Sequence, residues 1–220
     1  MVKIVLLDVD DTLLDFYKCS LISLKETFRA CQLEFKDEYY PIFKEINDDL
    51  WRRLERKEIS EEELFSTRFQ LIFHALGLKG DGQKARYVFK EQLDNSHETM
   101  TGAQDILDYL SQRYDLYVVS NSSEKRQVNR LTKAGFIHYF KDIYTSGRMN
   151  AMKPDQAFFD ACFQEMNHPK KSDVVLIGDS FTADIQGAIN YGIKPIWFHQ
   201  GKDDVDVIQI ESLLEIKNYL

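Results

Sequence analysis

The chain has 220 residues, of which 44% are hydrophobic and 29% are charged, and its formal net charge is −8 at pH 7. These values are typical of a globular protein, and the length allows one ordinary domain with a modest second one. The negative charge argues against binding of a nucleic acid polymer or of an acidic membrane surface, because polyanions are repelled. A local group of cations can still hold one small phosphorylated metabolite, which is the partner we expect.

The sequence shows no sign of a membrane or secretory segment. No stretch approaches the roughly 20 apolar residues of a spanning helix, and the opening MVKIVLLDVDD reaches acidic residues too early for a signal peptide. The three cysteines, Cys19, Cys31 and Cys162, are widely spaced and form no C-x-x-C pair. We therefore expect a cytoplasmic protein, a monomer or weak homodimer, whose cysteines are packing residues in a reducing compartment.

The first predicted element is a buried strand at residues 3–8. After it, residues 15–95 show helical spacing of apolar residues, as in 21–31 and 64–76, and almost no strand pattern. We predict that 15–95 form an all-helical cap, inserted between core segments 1–14 and 96–220. Because the insertion leaves directly after strand one, we expect it to lie over the carboxyl end of the sheet.

From residue 103 onward, helical and strand patterns alternate. The predicted helices are 103–113, 124–134, 156–166 and 183–191, and the predicted strands are 116–120, 142–146, 174–178 and 194–198. A short strand around 205–210 and a helix at 211–220 end the chain. Short alternating connections imply right-handed crossovers and a parallel sheet, so the predicted fold is a doubly wound α/β core with ligands at the carboxyl ends of the strands.

Polar residues follow four of these strands. They are D-x-D-x-T at 8–12, S-N-S at 120–122, Lys153 before Pro154, and G-D-x-x-x-x-D at 178–184. Strand alternation places Asp8 and Asp10 on the same side, and Pro154 is expected as the first residue of a helix. Each feature alone has an ordinary explanation as a turn, a helix cap or a surface charge. Together, at the same edge of one sheet, they predict a single site.

In these four motifs and in the helical insertion, the chain resembles the haloacid dehalogenase superfamily. The resemblance implies a phosphatase in which Asp8 is the nucleophile and Asp10 the general acid and base. Four acids around a phosphate dianion require a cation, and Mg²⁺ prefers oxygen ligands. The implied direct ligands are the carboxylates of Asp8 and Asp179 and the backbone carbonyl of Asp10. Asp184 would not bind the metal directly but would orient a bound water or the lysine.

The same resemblance assigns the phosphate contacts. Lys153 would bridge Asp8 and a phosphate oxygen, while Ser120 and the Asn121 amide would hold the other oxygens. The S-N-S motif departs from the T-N-G expected in the YjjG/YfnB-type group of this superfamily. Serine keeps the hydroxyl, but loss of glycine affects how closely the backbone approaches the phosphate.

Residues 46–55 and 63–69 resemble the cap of the YjjG/YfnB-type group, regarded as pyrimidine-preferring nucleoside 5′-monophosphatases. The resemblance makes Trp51, Arg52 and Arg68 candidate substrate contacts. In the alternative interpretation, Trp51 and Phe69 form the core of the cap and the arginines are surface ion-pair partners.

Other functions stay open on the same motifs. A carbon–halogen hydrolase is disfavoured by Asp10 and by the acidic fourth motif. A phosphoglucomutase-like isomerase or a sugar phosphatase has the same core, and an isomerase needs a proton-shuttling cap residue that the sequence does not single out. A regulatory protein that has lost the chemistry is disfavoured because every expected catalytic side chain is present.

Overall fold

The structure, a computed structural model, describes residues 2–201 and 203–220, so Met1 and Lys202, which fall in the predicted core segments, lie outside it. The chain divides into two compact units. The core unit comprises the chain up to Phe16 together with His97–Leu220, and the helical unit comprises Tyr17–Ser96. The assignment of these units as catalytic core and cap stays a prediction.

The core unit is built on a parallel sheet, which has six strands in the described part of the chain. The strands are β1 (Ile4–Leu7), β2 (Asp115–Ser120), β3 (Asp142–Thr145), β4 (Val174–Gly178), β5 (Lys194–Phe198) and β6 (Ile208–Ile210). Their order is β3-β2-β1-β4-β5-β6, and every neighbouring pair is parallel. The predicted fold class is confirmed. The strand order reverses between β1 and β4, where ligands collect in sheets of this kind.

The helices follow the predicted alternation. They are α1 (Phe16–Ala30), α2 (Tyr39–Glu55), α3 (Glu61–Ala75), α4 (Gly82–Asn95), α5 (Ala103–Ser111), α6 (Glu124–Lys133), α7 (Ser146–Met149), α8 (Gln156–Glu165) and α9 (Gly187–Tyr191). Short 3₁₀ segments lie at Ile137–Tyr139, Lys171–Asp173 and Leu213–Asn218, and a π-helical segment lies at Phe181–Gln186. Within the described part of the chain, every helix is too short or too polar to span a bilayer.

Two apolar layers cover the sheet because successive side chains of each strand face opposite ways. Val5 and Leu7 of β1 belong to the cluster formed with α5, α6 and the C-terminal 3₁₀ segment. Leu6 belongs to the second cluster, formed with α8 and α9. Helix α6, which follows β2, and helix α8, which follows β3, therefore pack on different faces of the sheet.

The helical unit has its own aromatic core. Phe43, Phe69 and Phe89 are buried, with ring centroids 5.3 to 5.4 Å apart in two of the pairs. Helix starts are fixed locally, since Ser60 accepts a hydrogen bond from the Glu63 backbone N–H at the start of α3. The prediction of an all-helical insertion is confirmed.

Three details differ from the sequence prediction. Pro154 is not the first residue of a helix, because Asp155 occupies the N-cap position and α8 begins at Gln156. The predicted helix 183–191 begins earlier, with a π-helical segment in which the backbone N–H groups of Asp184 and Ile185 both donate to the Ser180 carbonyl. The C-terminal segment is 3₁₀, with Ser212 and Glu215 forming a capping box at its start.

Candidate active site

The ammonium group of Lys153 lies at the centre of the site. Lys153 is 1% exposed, and its Nζ donates to Asp8 Oδ1 at 2.7 Å and to Asp184 Oδ1 at 2.6 Å. A third hydrogen bond, 2.9 Å long, goes to the carbonyl oxygen of Val119. The three N–H bonds of the ammonium group are therefore all used. Since Asp8 follows β1 and Asp184 follows β4, Lys153 joins the two strands at which the sheet order reverses.

Negative charge exceeds positive charge around Lys153. Asp8, Asp179 and Asp184 place carboxylate oxygens within 4.8 Å of one another. Two unit charges at such a distance repel by on the order of 3 kcal/mol at an effective dielectric constant of about 20. Burial raises the pKa of Asp8 to about 8. The charge of Lys153 offsets part of this increase, and the charge of Asp184 adds to it. Burial and the charge of Asp8 likewise raise the pKa of Asp179 well above its ordinary value.

This donor set fits a magnesium ion. Carboxylates are the hard oxygen ligands that Mg²⁺ prefers, and a divalent cation would remove the excess negative charge. Both oxygens of Asp184 already accept hydrogen bonds, Oδ1 from Lys153 and Oδ2 from the Ser180 backbone N–H at 3.1 Å. Asp8 and Asp179 are thus the members of the cluster best able to contact a metal directly.

The loop after β1 gives Asp8 and Asp10 different surroundings. β1 ends at Leu7, so the strand alternation that predicted a common direction does not extend to Asp10. Asp11 then turns the chain with a φ of 55°, a left-handed conformation that aspartate tolerates better than most residues. Asp8 is held by Lys153, just before α8, whereas Asp10 is held from α6, which packs on the other face of the sheet.

Two residues of α6 that the sequence analysis missed hold Asp10. Arg130 donates from NH1 to Asp10 Oδ1 at 2.6 Å, and Gln127 donates from Nε2 to Asp10 Oδ2 at 3.0 Å. Burial acts to raise the pKa of Asp10, but the charge and hydrogen bond of Arg130 outweigh it and lower that pKa. The apolar spacing that predicted this helix rests on few residues: α6 contains only two apolar side chains, Val128, which is exposed, and Leu131, which is buried.

Ser120 and Asn121 of the second motif have different hydrogen-bond partners. Ser120 ends β2, is buried, and accepts a hydrogen bond from Gln127 Nε2 at 2.9 Å. The side-chain amide of Asn121 makes a reciprocal pair with the backbone of Lys153, both hydrogen bonds being 2.8 Å long. That side chain therefore positions Lys153. Ser122 does not adopt a positive φ, so its backbone conformation does not require the glycine of T-N-G.

The fourth motif depends on its glycine. A Cβ atom at Gly178 would lie 2.3 Å from Asp184 Oδ2, so no other residue there lets the Asp184 carboxylate pack against the strand end. Asp179 is held at two points: its carbonyl oxygen accepts from Trp197 Nε1 at 2.8 Å and its Oδ1 accepts from Thr12 Oγ1 at 3.3 Å.

The candidate substrate contacts of the helical unit have three different environments. Trp51 is half-buried, and its ring lies edge-on to Phe65 at a centroid distance of 6.2 Å. The Arg52 side chain is 57% exposed, with Asp49 Oδ1 at 3.9 Å. Arg68 is 5% exposed, so it is neither a surface residue nor a surface ion-pair partner.

The surroundings of Arg68 belong to the core of the helical unit. Arg68 NH1 donates to Asn47 Oδ1 at 3.0 Å, and its guanidinium lies 4.8 Å from the Phe89 ring centroid. The alternative of a surface arginine is therefore wrong for Arg68. Substrate contact by Trp51, Arg52 and Arg68 stays a prediction.

Comparison with known proteins identifies the family. Residues 5–198 match the haloacid dehalogenase-like hydrolase model. The chain is 38% identical to pyrimidine 5′-nucleotidase PynA of Streptococcus pneumoniae, covering 97% of this chain and 94% of PynA. It is 24% identical to pyrimidine 5′-nucleotidase YjjG of Escherichia coli, covering 87% of this chain and 84% of YjjG. The crystal structure of the hydrolase YfnB of Bacillus subtilis, bound to magnesium, has a TM-score of 0.93 at 30% identity, covering 99% and 98% of the two chains.

The chain therefore belongs to the haloacid dehalogenase-like hydrolase family. The predicted resemblance to the YjjG/YfnB-type group is confirmed. The prediction of an enzyme, as opposed to a regulatory protein without chemistry, is confirmed at the level of this family.

Proposed function

We propose that the chain is a magnesium-dependent phosphate monoester hydrolase that acts through an aspartyl-phosphate on Asp8. The observation that carries the proposal is the buried Lys153 ammonium between Asp8 and Asp184, inside a cluster of three carboxylates. Phosphoryl transfer needs an in-line nucleophile and neutralised phosphoryl oxygens, and little else from the protein. Asp8 supplies the nucleophile, and Lys153 supplies part of the positive charge.

The carboxylates of Asp8 and Asp179 and the backbone carbonyl of Asp10 would hold Mg²⁺, with Asp184 orienting the groups around it. When bound, the ion supplies positive charge against the phosphoryl oxygens. Lys153 keeps its own charge, since the carboxylates of Asp184 and Asp8 outweigh burial and raise its pKa. To reach a phosphate oxygen, Lys153 must exchange one of its three hydrogen bonds for the new one.

In the first half-reaction, an Asp8 oxygen forms a bond to phosphorus while the bond from phosphorus to the leaving oxygen breaks. Asp10 enters this step as the carboxylic acid and gives its proton to that leaving oxygen. Because the Arg130 ion pair lowers the pKa of Asp10, the acid is the minority form at pH 7, and the second half-reaction regenerates it. In the second half-reaction, Asp10 takes a proton from the water that attacks phosphorus, and Asp8 departs as a carboxylate. The Ser120 hydroxyl and the Asn121 amide would hold phosphoryl oxygens in both steps.

The preferred substrates in this proposal are nucleoside 5′-monophosphates, and the protein acts in the cytoplasm as a monomer or weak homodimer. Support comes from the similarity to PynA and YjjG, both named pyrimidine 5′-nucleotidases. The helical unit would act as the cap that receives the nucleoside, with Trp51, Arg52 and Arg68 as candidate contacts. A base offers a flat aromatic face on which Trp51 could stack.

A panel of nucleotides, hexose phosphates and p-nitrophenyl phosphate, assayed with and without Mg²⁺, tests the proposal. Chelation should abolish activity, and Mg²⁺ should restore it. Ca²⁺ should not replace Mg²⁺, because its looser and higher coordination disturbs the in-line geometry. Asp8→Asn should lower turnover at least about a thousandfold. Full activity in chelator would refute metal dependence, and a preference for hexose phosphates would favour a sugar phosphatase.

A further inference from the structure

The carboxylate of Asp10 is gripped at both oxygens by one helix. Arg130 NH1 contacts Oδ1 at 2.6 Å and Gln127 Nε2 contacts Oδ2 at 3.0 Å. The two side chains lie three residues apart on α6 and so share one face of that helix. Each carboxylate oxygen therefore has a donor of its own, and rotation of the Asp10 side chain would break both hydrogen bonds.

Burial distinguishes this contact from an ordinary surface ion pair. Arg130 and Gln127 are both 0% exposed, whereas 35% of the Asp10 side-chain surface is exposed. The two donors are therefore buried, whereas the Asp10 carboxylate that they hold is partly exposed to solvent. A buried arginine needs charge compensation nearby, since burying an isolated charge is unfavourable by several kcal/mol.

The same group of side chains joins two motifs of the site. Gln127 Nε2 donates to Asp10 Oδ2 and also to Ser120 Oγ at 2.9 Å. Gln127 Oε1 accepts from Arg130 NH1 at 3.3 Å, which fixes the orientation of the Gln127 amide. Side chains of α6 therefore fix the position of the loop after β1 relative to the end of β2.

We propose that Arg130 and Gln127 are positioning residues that fix the Asp10 carboxylate for proton transfer to the leaving oxygen of the substrate. This inference rests on the proposed phosphatase function and on the role of Asp10 within it. Proton transfer requires donor and acceptor within hydrogen-bonding distance, and a misplacement of about 1 Å can lower a rate by about a hundredfold. Neither residue needs to touch the substrate.

The role is tested by comparing two leaving groups. An alkyl phosphate has a basic leaving oxygen that needs the Asp10 proton, whereas p-nitrophenolate leaves without one. Because kcat/KM reports the steps up to departure of the leaving group, Arg130→Met should lower it at least about tenfold for the alkyl ester and less than about threefold for p-nitrophenyl phosphate. Arg130→Lys keeps the charge and should recover part of the loss.

A double-mutant cycle shows whether Arg130 acts through Asp10. In an Asp10→Asn background, Arg130→Met should change kcat/KM for the alkyl ester by less than about twofold, because the group it positions is already gone. Lys125→Met, which removes an exposed positive charge from the same helix, serves as the control and should leave both substrates unaffected. Thermal unfolding of each variant checks the fold, and Arg130→Gln replaces Arg130→Met if the latter does not fold.

Equal losses for both esters, or an undiminished effect of Arg130→Met in the Asp10→Asn background, would overturn the positioning role while the phosphatase function stands. If the wild-type enzyme hydrolyses neither ester in the presence of Mg²⁺, the proposed function is overturned, and the inference with it.

Discussion

Lys153 is the residue on which the charge balance of the site depends. It forms ion pairs with two of the three carboxylates of the cluster, Asp8 and Asp184. Its position in a motif was predictable from the sequence, but a lysine before a helix is usually a solvated surface charge. Its burial follows from the register of the strands and from the Asn121 side chain that holds its backbone, and neither is visible in a local pattern.

Lys153→Met should leave the carboxylates of Asp8 and Asp184 buried without their cation. Breaking a buried ion pair on one side lowers the free energy of unfolding by about 3 to 5 kcal/mol. Urea denaturation without metal should show this loss, and Mg²⁺ should restore more stability to the variant than to the wild type. Lys171→Met, in the core unit but outside the carboxylate cluster, is the control; equal unfolding midpoints for wild type and Lys153→Met would contradict the account.

At the scale of elements, the strand ends were predictable and the surfaces of the helices were less so. Strands β1, β2, β4 and β5 carry continuous apolar runs, and their ends fall within one residue of the predicted positions. α6 was predicted as an apolar-faced helix, but it buries Gln127 and Arg130 beside Leu131. Periodicity cannot show that a polar face is buried, because that depends on the partner carboxylate of a distant loop.

The end of β4 supplies a steric prediction. Gly178→Ala would place a methyl group 2.3 Å from Asp184 Oδ2, so Asp184 must move and its hydrogen bond to Lys153 must lengthen or break. We expect kcat to fall by about ten- to a hundredfold, since sub-ångström placement matters in such sites. Gly147→Ala, whose added Cβ would have its nearest neighbours at 3.7 Å, should be nearly neutral. Similar activities of the two variants in a steady-state assay would refute this account.

The pairing of β3 with α7 gives a pH dependence. Arg148 binds both oxygens of Asp142, at 2.6 and 2.9 Å. Burial acts to raise the pKa of Asp142, but the hydrogen bonds from Arg148 outweigh it and lower that pKa in the folded protein. The pair therefore contributes stability above the unfolded pKa of about 4, and the contribution is lost as the pH falls through the folded pKa.

Because the Asp142 side chain is partly solvent-screened, the expected contribution is about 0.5 to 1 kcal/mol. Arg148→Met should lower the free energy of unfolding by that amount at pH 7, and the difference should shrink at about pH 3. Urea denaturation at both pH values measures it. Lys141→Met, which removes an exposed charge, is the control. If the difference in the free energy of unfolding between wild type and Arg148→Met grows as the pH falls, the stabilising role assigned to the Arg148–Asp142 pair is contradicted.

At the scale of the whole molecule, the prediction of fold and family depended on the order of the motifs along the chain. Four polar strand ends and a helical insertion sufficed to predict the fold and the family, because a parallel sheet brings its carboxyl ends to one edge. Substrate preference was less accessible, since Trp51, Arg52 and Arg68 have quite different environments within the helical unit. Sequence similarity alone could not distinguish the buried arginine from the exposed one.

Trp51→Ala tests whether the helical unit recognises the base. Loss of a stacking contact worth on the order of 1 to 3 kcal/mol should lower kcat/KM for a pyrimidine monophosphate about fivefold to a hundredfold. The value for a small generic phosphate ester should stay nearly constant. Tyr87→Ala, which removes an exposed aromatic ring from α4, is the matched control. Equal losses on every substrate would make Trp51 a structural residue of the helical unit.

The central claim is that Asp8 becomes phosphorylated during turnover. Acid quenching of the enzyme in the steady state, followed by proteolysis and mass spectrometry, should find one phosphoryl group on the peptide containing Asp8. The modification should be absent without Mg²⁺ and in Asp8→Asn, and it should accumulate in Asp10→Asn, assayed with p-nitrophenyl phosphate, because the base for hydrolysis of the intermediate is missing. An enzyme that turns over rapidly and never carries a phosphoryl group on Asp8, even in Asp10→Asn, would contradict the account.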